Sequence, residues 1–223
     1  MRKILSLFLL LISIASYGQD FGISAGINSF NLREHFIPTP RSCCKTSTSD
    51  FLNYQNVFGV NFGGFANFRL NDLLSILGEL QYSQKGFQAD GVKNPFLEFQ
   101  TEYYARKLTL NYLELPIMLK ATIGKQKKWS PYALGGIYFS YLLSGRHQLY
   151  DAPPNVRVNS VDELMDNFDW GIRAGLGVTY LRFSMDVNFV AGIYNATGPF
   201  PFGARKKNVG WNATLRYWIN VRK

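Results

Sequence analysis

Apolar and polar side chains alternate with period two along most of this chain, in eight separate segments of strand length. Such a pattern gives a helix no apolar face but gives a strand two unlike faces. In the first segment Phe21, Ile23, Ala25 and Ile27 stand against Gly22, Ser24, Gly26 and Asn28. The second sets Phe58, Val60, Phe62, Ala66 and Phe68 against Asn61, Asn67 and Arg69, and the third sets Ile76, Leu80 and Tyr82 against Glu79, Gln81, Ser83 and Lys85. In the fourth, NYLELPIMLKA, Leu113, Leu115, Ile117, Leu119 and Ala121 oppose Tyr112, Glu114, Pro116, Met118 and Lys120.

The fifth segment, SPYALGGIYFSYLL, is apolar on both faces, so its phase stays open. The sixth sets Trp170, Ile172, Ala174, Leu176, Val178 and Tyr180 against Asp169, Gly171, Arg173, Gly175, Gly177 and Thr179. The seventh opposes Phe183, Met185, Val187 and Phe189 to Ser184, Asp186 and Asn188. The eighth opposes Val209, Trp211, Ala213, Leu215, Tyr217 and Ile219 to Asn212, Thr214, Arg216, Trp218 and Asn220. Eight is an even number, as an up-and-down antiparallel barrel requires.

The connections alternate in length. Short ones fall near residues 70–72, 124–128 and 180–182; long ones cover roughly residues 30–54, 87–104, 144–167 and 196–207. The long ones hold the prolines and most loop charges, as in IPTPRSCCK, DAPPNVR and GPFPFGARKK. Short turns at one end and long loops at the other are the pattern of an outer-membrane barrel, with periplasmic turns and extracellular loops.

Arg2 and Lys3 precede an apolar run, residues 4–14, followed by ASYGQ. This reads as a signal peptide cut after Gly18, leaving a mature barrel over residues 19–223. Charged residues are only 17% of the chain, against about 25% in an ordinary soluble domain. Aromatics reach 16%. An exported chain of this composition whose mature part has no long apolar helix is expected to cross the outer membrane of a Gram-negative bacterium with strands.

A soluble barrel would share the alternation with its apolar face inward. Three features favour the membrane orientation. Aromatics gather near segment ends (Trp129, Tyr132, Tyr141, Trp170, Tyr180, Tyr194, Trp211, Tyr217, Trp218), as in an interfacial girdle. Glycines on the polar face, such as Gly22, Gly26, Gly171, Gly175 and Gly177, leave room for long side chains inside a narrow barrel. The third feature is the loop asymmetry.

A lipid-facing Arg or Lys at mid-bilayer costs about 2–4 kcal/mol. Arg69, Glu79, Lys85, Glu114, Lys120, Arg173, Asp186 and Arg216 share the polar phase and are therefore expected to face inward. Buried charges must pair, and an eight-stranded interior is just wide enough to be filled by side chains. The expectation is a plugged, salt-bridged lumen whose charge row is structural. Pro116 lacks a ladder donor, and a closed barrel offers no edge to hide it. A bulge or a missing ladder bond is expected there.

Residues with catalytic chemistry are few. His35 and His147 fall in different long connections, and no G-x-S-x-G motif accompanies them. Cys43 and Cys44 are adjacent, a spacing that disfavours a mutual disulfide, and read as loop thiols without a dedicated role. His35 with both cysteines lacks a fourth ligand and standard metal spacing. No catalytic residue, cofactor or metal is expected. Expected partners are outer-membrane lipids, with lipopolysaccharide and a surface or secretion-machinery protein as candidates. Nucleic acid is excluded by export and by the lack of a motif, and the barrel is expected to be a monomer.

Tyr112 to Lys120 resembles the signature of the PorT-like small outer-membrane β-barrels: an aromatic, then Leu-Glu-Ile/Leu-Pro and an apolar run ending in Lys. LQYSQKG at residues 80–86 and GIRAGLGVTY at residues 171–180 extend the similarity. The resemblance implies an eight-stranded barrel, a signal peptide and outer-membrane residence. It also raises, as an alternative to a non-enzymatic envelope or surface-interaction role, a part in type IX secretion or surface display. A narrow porin is a further alternative, and an enzyme carried on the loops is the weakest.

Overall fold

Antiparallel pairing lets each alternating segment turn its apolar row outward and its polar row inward, and seven of the eight segments do so in the computed structural model of the chain, while the fifth carries Tyr132, Leu134 and Tyr138 inward. The structure describes residues 19–35, 52–91, 105–123, 128–151, 155–160, 167–193 and 205–220. The signal-peptide reading, Cys43, Cys44 and Tyr194 lie outside these residues. The strands are β1 (Gln19–His35), β2 (Leu52–Arg69), β3 (Leu74–Gly91), β4 (Ala105–Thr122), β5 (Trp129–Asp151), β6 (Asn155–Ser160), β7 (Phe168–Tyr180), β8 (Phe183–Gly192) and β9 (Arg205–Asn220).

Eight of them close a ring in the order β4-β3-β2-β1-β9-β8-β7-β5, with β4 bonded back to β5. The short strand β6 pairs with the far end of β5, Arg146 to Asp151, while β7 takes the near end of the same edge. It therefore prolongs the barrel wall above β7 and leaves the ring at eight.

Register fixes the shape. Cα partners traced from Asp20 run through Asn67, Leu77, Met118, Gly136, Arg173, Val190 and Gly210. The path re-enters β1 at Phe30, ten residues beyond its start. With a rise of about 3.3 Å per residue and about 4.8 Å between strands, that stagger sets a strand tilt of about 40°. Such a barrel is narrow, and its interior is filled by side chains.

The outer surface is a continuous apolar band. Leu113, Leu115, Ile117 and Leu119 on β4 are exposed, as are Ile172 and Leu176 on β7 and Met185 and Val187 on β8. Aromatic pairs mark the margins of the band: Trp129 lies 4.3 Å from Tyr180, Phe183 5.2 Å from Tyr217, and Phe189 5.2 Å from Trp211. Towards the long-loop end an outward polar row replaces it. Asn56 donates to Ser29 Oγ at 3.3 Å, Gln84 to Asn111 Oδ1 at 3.3 Å, and Asn111 to Ser144 Oγ at 2.9 Å.

Several expectations need correction. The strands run past the expected loop boundaries, with β1 continuing to His35, β3 to Gly91 and β5 to Asp151. Beyond the polar row the outward residues are polar while Phe87, Leu108 and Leu110 are buried inward, so the outward apolar period that marks the band no longer signals a strand, although ladder bonds continue. His35 and His147 accordingly sit on strands rather than loops, and their side chains lie outside the described residues. Two aromatics assigned to the girdle, Tyr132 and Trp218, are buried inside the barrel instead.

Local chemistry explains the turn between β2 and β3. The Asn71 side-chain oxygen accepts from Leu73 N at 2.9 Å and Leu74 N at 2.7 Å, closing it without glycine. Pro116 interrupts the β3–β4 ladder, which skips from Gly78/Ile117 to Gln81/Glu114 with no change of register. On the β5 side the ladder passes Pro116 opposite Tyr138 unbroken, so the proline points its missing donor at β3.

Candidate functional site

The interior is where alternation has placed every charge that lipid would reject. The eight polar-phase residues all lie on inward rows, and seven of them are buried. Arg69 differs: it is half exposed at the short-turn end, where its Nε meets Asp20 Oδ2 at 2.8 Å. The structure adds two carboxylates that the sequence reading left out of the set, Asp20 and the fully buried Asp169. With them the inward-facing charges whose side chains are described balance, five cations against five carboxylates.

The charges form two layers. Nearer the short turns, the Arg216 guanidinium on β9 bridges two carboxylates. Its Nη2 lies 2.9 Å from Glu79 Oε2 on β3, and its Nη1 meets Asp186 Oδ2 on β8. In the ring β3 and β8 are diametrically opposite, so one fork ties two facing walls. The remaining oxygens are occupied: Ser24 donates to Glu79, Asn188 to Asp186, and the Tyr132 hydroxyl to Asp186 Oδ2 at 2.9 Å. Lys120 sits over the rings of Tyr132 at 4.1 Å and Trp218 at 4.9 Å and donates to Thr179 at 3.5 Å.

The second layer centres on Lys85. Its ammonium lies 2.5 Å from Glu114 Oε2 and 3.9 Å from Asp169 Oδ2, and it donates to Ser140 Oγ at 3.4 Å. Arg173 Nη1 approaches Glu114 Oε1 at 3.4 Å, and Gln81 donates to the same oxygen at 2.8 Å. Asn208 and the Tyr138 hydroxyl donate to Asp169 Oδ2 at 2.9 and 3.2 Å. Asparagines extend this second layer across the barrel. Arg173 donates to Asn212, Asn212 donates to Asn28 Oδ1 at 2.6 Å, and Asn61 donates to the same atom at 2.8 Å.

Apolar side chains cap this polar column. Phe65, Leu77, Met118, Tyr132, Leu134 and Trp218 pack into a floor near the short turns, with Phe65 edge-on to Trp218 at 4.8 Å. Phe30, Tyr138 and Val190 form a smaller cluster on the other side. Four of the large inward rings have a glycine as cross-strand partner: Phe65 faces Gly22, Phe30 faces Gly210, Tyr132 faces Gly177 and Tyr138 faces Gly171. A β-carbon at Gly177 would stand 2.5 Å from Tyr132 Cζ, and one at Gly171 would stand 2.7 Å from Tyr138 Cε1. The room left by the glycines beside Arg173 is thus taken by rings across the ladder. The residues that sequence reasoning missed had a signal: Asp169 shares Arg173's row, and Asp20 shares Ser24's.

An eight-stranded antiparallel ring with an apolar exterior and a charge-paired interior defines a transmembrane barrel of the outer-membrane type. Consistent with that class, the family model for the outer membrane protein beta-barrel domain matches residues 16–198. The chain belongs to this family and is an outer-membrane protein of a Gram-negative bacterium.

Solved structures with a similar course include Ail, the attachment invasion locus protein of Yersinia pestis. It is 13% identical, with a TM-score of 0.40 over 90% of this chain and 99% of that one. OprG from Pseudomonas aeruginosa is 13% identical, with a TM-score of 0.46 over 91% of this chain and 95% of that one. Neisserial surface protein A is 12% identical, with a TM-score of 0.43 over 90% and 98%. No curated protein matches the chain.

Proposed function

We propose that this chain is a non-enzymatic outer-membrane barrel with a plugged, charge-lined lumen, acting in envelope structure or surface interaction through its long loops. The observation that carries this reading is the Arg216 bridge between Glu79 and Asp186 on opposite walls. A path along the axis would have to break it, and separating a buried pair leaves uncompensated charges in a medium that solvates them poorly. The second layer, from Lys85 to Glu114 and Asp169, repeats the obstruction. With the short turns in the periplasm, the loops are the part available to a partner. Outer-membrane lipids, lipopolysaccharide among them, surround the apolar band, and one copy suffices to close the ring.

The purified barrel in planar lipid bilayers tests the plug directly. Stable conductance steps are expected to be absent; regular steps from the wild-type protein would retire it. A narrow porin is the second reading, and one observation favours it. Gln81 Oε1, Asp169 Oδ1, Arg173 Nε and Arg216 Nε are buried and find no hydrogen-bond partner among the described residues. Such atoms are the ordinary hosts of internal water. The same recording separates the two readings. The PorT-like signature at Tyr112 to Lys120 supports a place in secretion or surface display only by resemblance. Loss of export of a set of cargo proteins on deletion would support that place.

A further inference from the structure

Lys85 occupies an unusual enclosure. Its Nζ lies 4.3 Å from the centroid of the Tyr138 ring and 5.2 Å from those of Phe30 and Tyr112. Three aromatic faces and two carboxylates surround one ammonium, the arrangement by which proteins recognise free organic cations. The surroundings are held independently of Lys85. Tyr138 faces Gly171 across the ladder, Glu114 is fixed by Gln81 and Ser140, and Asp169 is fixed by Asn208. Asp169 Oδ1 is buried and accepts no hydrogen bond among the described residues, so the enclosure still has an acceptor to offer.

From these contacts we propose that this part of the lumen is a preformed site for a primary ammonium ion, and that the protein's own Lys85 side chain is its resident ligand. The charge count supports it. Lys85 and Arg173 balance Glu114 and Asp169, so removal of Lys85 leaves the layer one negative charge in excess. Lys85→Ala deletes a fragment of the size of n-propylammonium, whose ammonium can donate to Glu114 Oε2 and Ser140 Oγ as Lys85 does. A tetramethylammonium ion has the charge but no N–H donor, and a sodium ion gains little from the aromatic faces. Selectivity for a primary alkylammonium follows. The inference rests on the plugged-lumen reading in one respect, that Lys85 blocks the passage by occupying a binding site.

Chemical rescue tests it. The full-length barrel and its Lys85→Ala variant are folded into phosphatidylcholine vesicles in equal concentrations of sodium, tetramethylammonium or n-propylammonium chloride. Unfolding is followed by loss of heat-modifiable migration. The variant is expected to melt about 8 °C lower in sodium chloride. Propylammonium is expected to recover roughly half of that loss, saturably. The wild type and a Lys85→Ala/Glu114→Gln double variant should respond equally to all three salts.

If Lys85→Ala does not fold in sodium chloride, the same comparison is read as folding yield. An equal response of Lys85→Ala to the three salts, in melting or in yield, overturns the proposal. Conductance by the wild type, with rescue intact, would remove the plug and leave the ammonium site standing.

Discussion

The two charge layers solve one electrostatic problem with different cations. Near the short turns a guanidinium reaches Glu79 and Asp186 on facing walls, because its planar fork presents several donors in fixed directions. Higher up, a compact ammonium sits within a ring cage, close to Glu114 and farther from Asp169, and Arg173 shares the nearer carboxylate. In the first layer both carboxylates bridge to Arg216 while Lys120 rests on rings, whereas in the second Lys85 and Arg173 share Glu114. Removing the central cation should therefore cost more near the turns than near the loops.

Arg216→Met sharpens this contrast most, since it leaves Glu79 and Asp186 facing each other across the barrel. A loss of about 3–5 kcal/mol is expected, read as the urea midpoint in lipid vesicles. Lys85→Met should cost less, about 2 kcal/mol, because Glu114 keeps Arg173 and Gln81. Equal losses for the two variants would break the comparison. Overpacking comes next. Gly177→Val presses on Tyr132 in the lower layer and Gly171→Val on Tyr138 in the upper one, each costing about 1–3 kcal/mol in the same assay. The smallest effect belongs to Ser24→Ala, about 1 kcal/mol, since Asn and Tyr donors remain elsewhere in the lower layer.

Much of this architecture was readable from period two alone, because lipid outside and charge inside demand the same alternation at every level of the band. NYLELPIMLKA shows the reach of that signal: its leucines are exposed, and Tyr112, Glu114, Met118 and Lys120 are buried. The ladder gap at Pro116 was legible for the same reason, as a missing donor with no edge to sit on. The fifth segment was not, since its inward row mixes Tyr132, Leu134 and Tyr138 with Ser140, and its outward row is equally apolar. Nothing in its own sequence says that glycines on β7 face the two tyrosines; only the register does. Strand ends beyond the polar row were illegible because the lipid-facing apolar row stops there, and what stays apolar, such as Phe87, Leu108 and Leu110, faces inward.

Pairing was harder to read than placement. The polar phase identifies which charges face inward, but it does not say that Arg216 reaches two walls while Lys120 rests on rings. Those choices depend on the stagger that brings Phe30 level with Asp20 around the ring, a property of all eight registers together.

The central claim is that Arg216 ties opposite walls of the barrel through paired charges. A double-mutant cycle on Glu79→Gln and Arg216→Met in lipid vesicles tests it most directly. The account predicts a coupling energy of about 2 kcal/mol or more between β3 and β9. Additivity of the two substitutions within about 0.5 kcal/mol would contradict it.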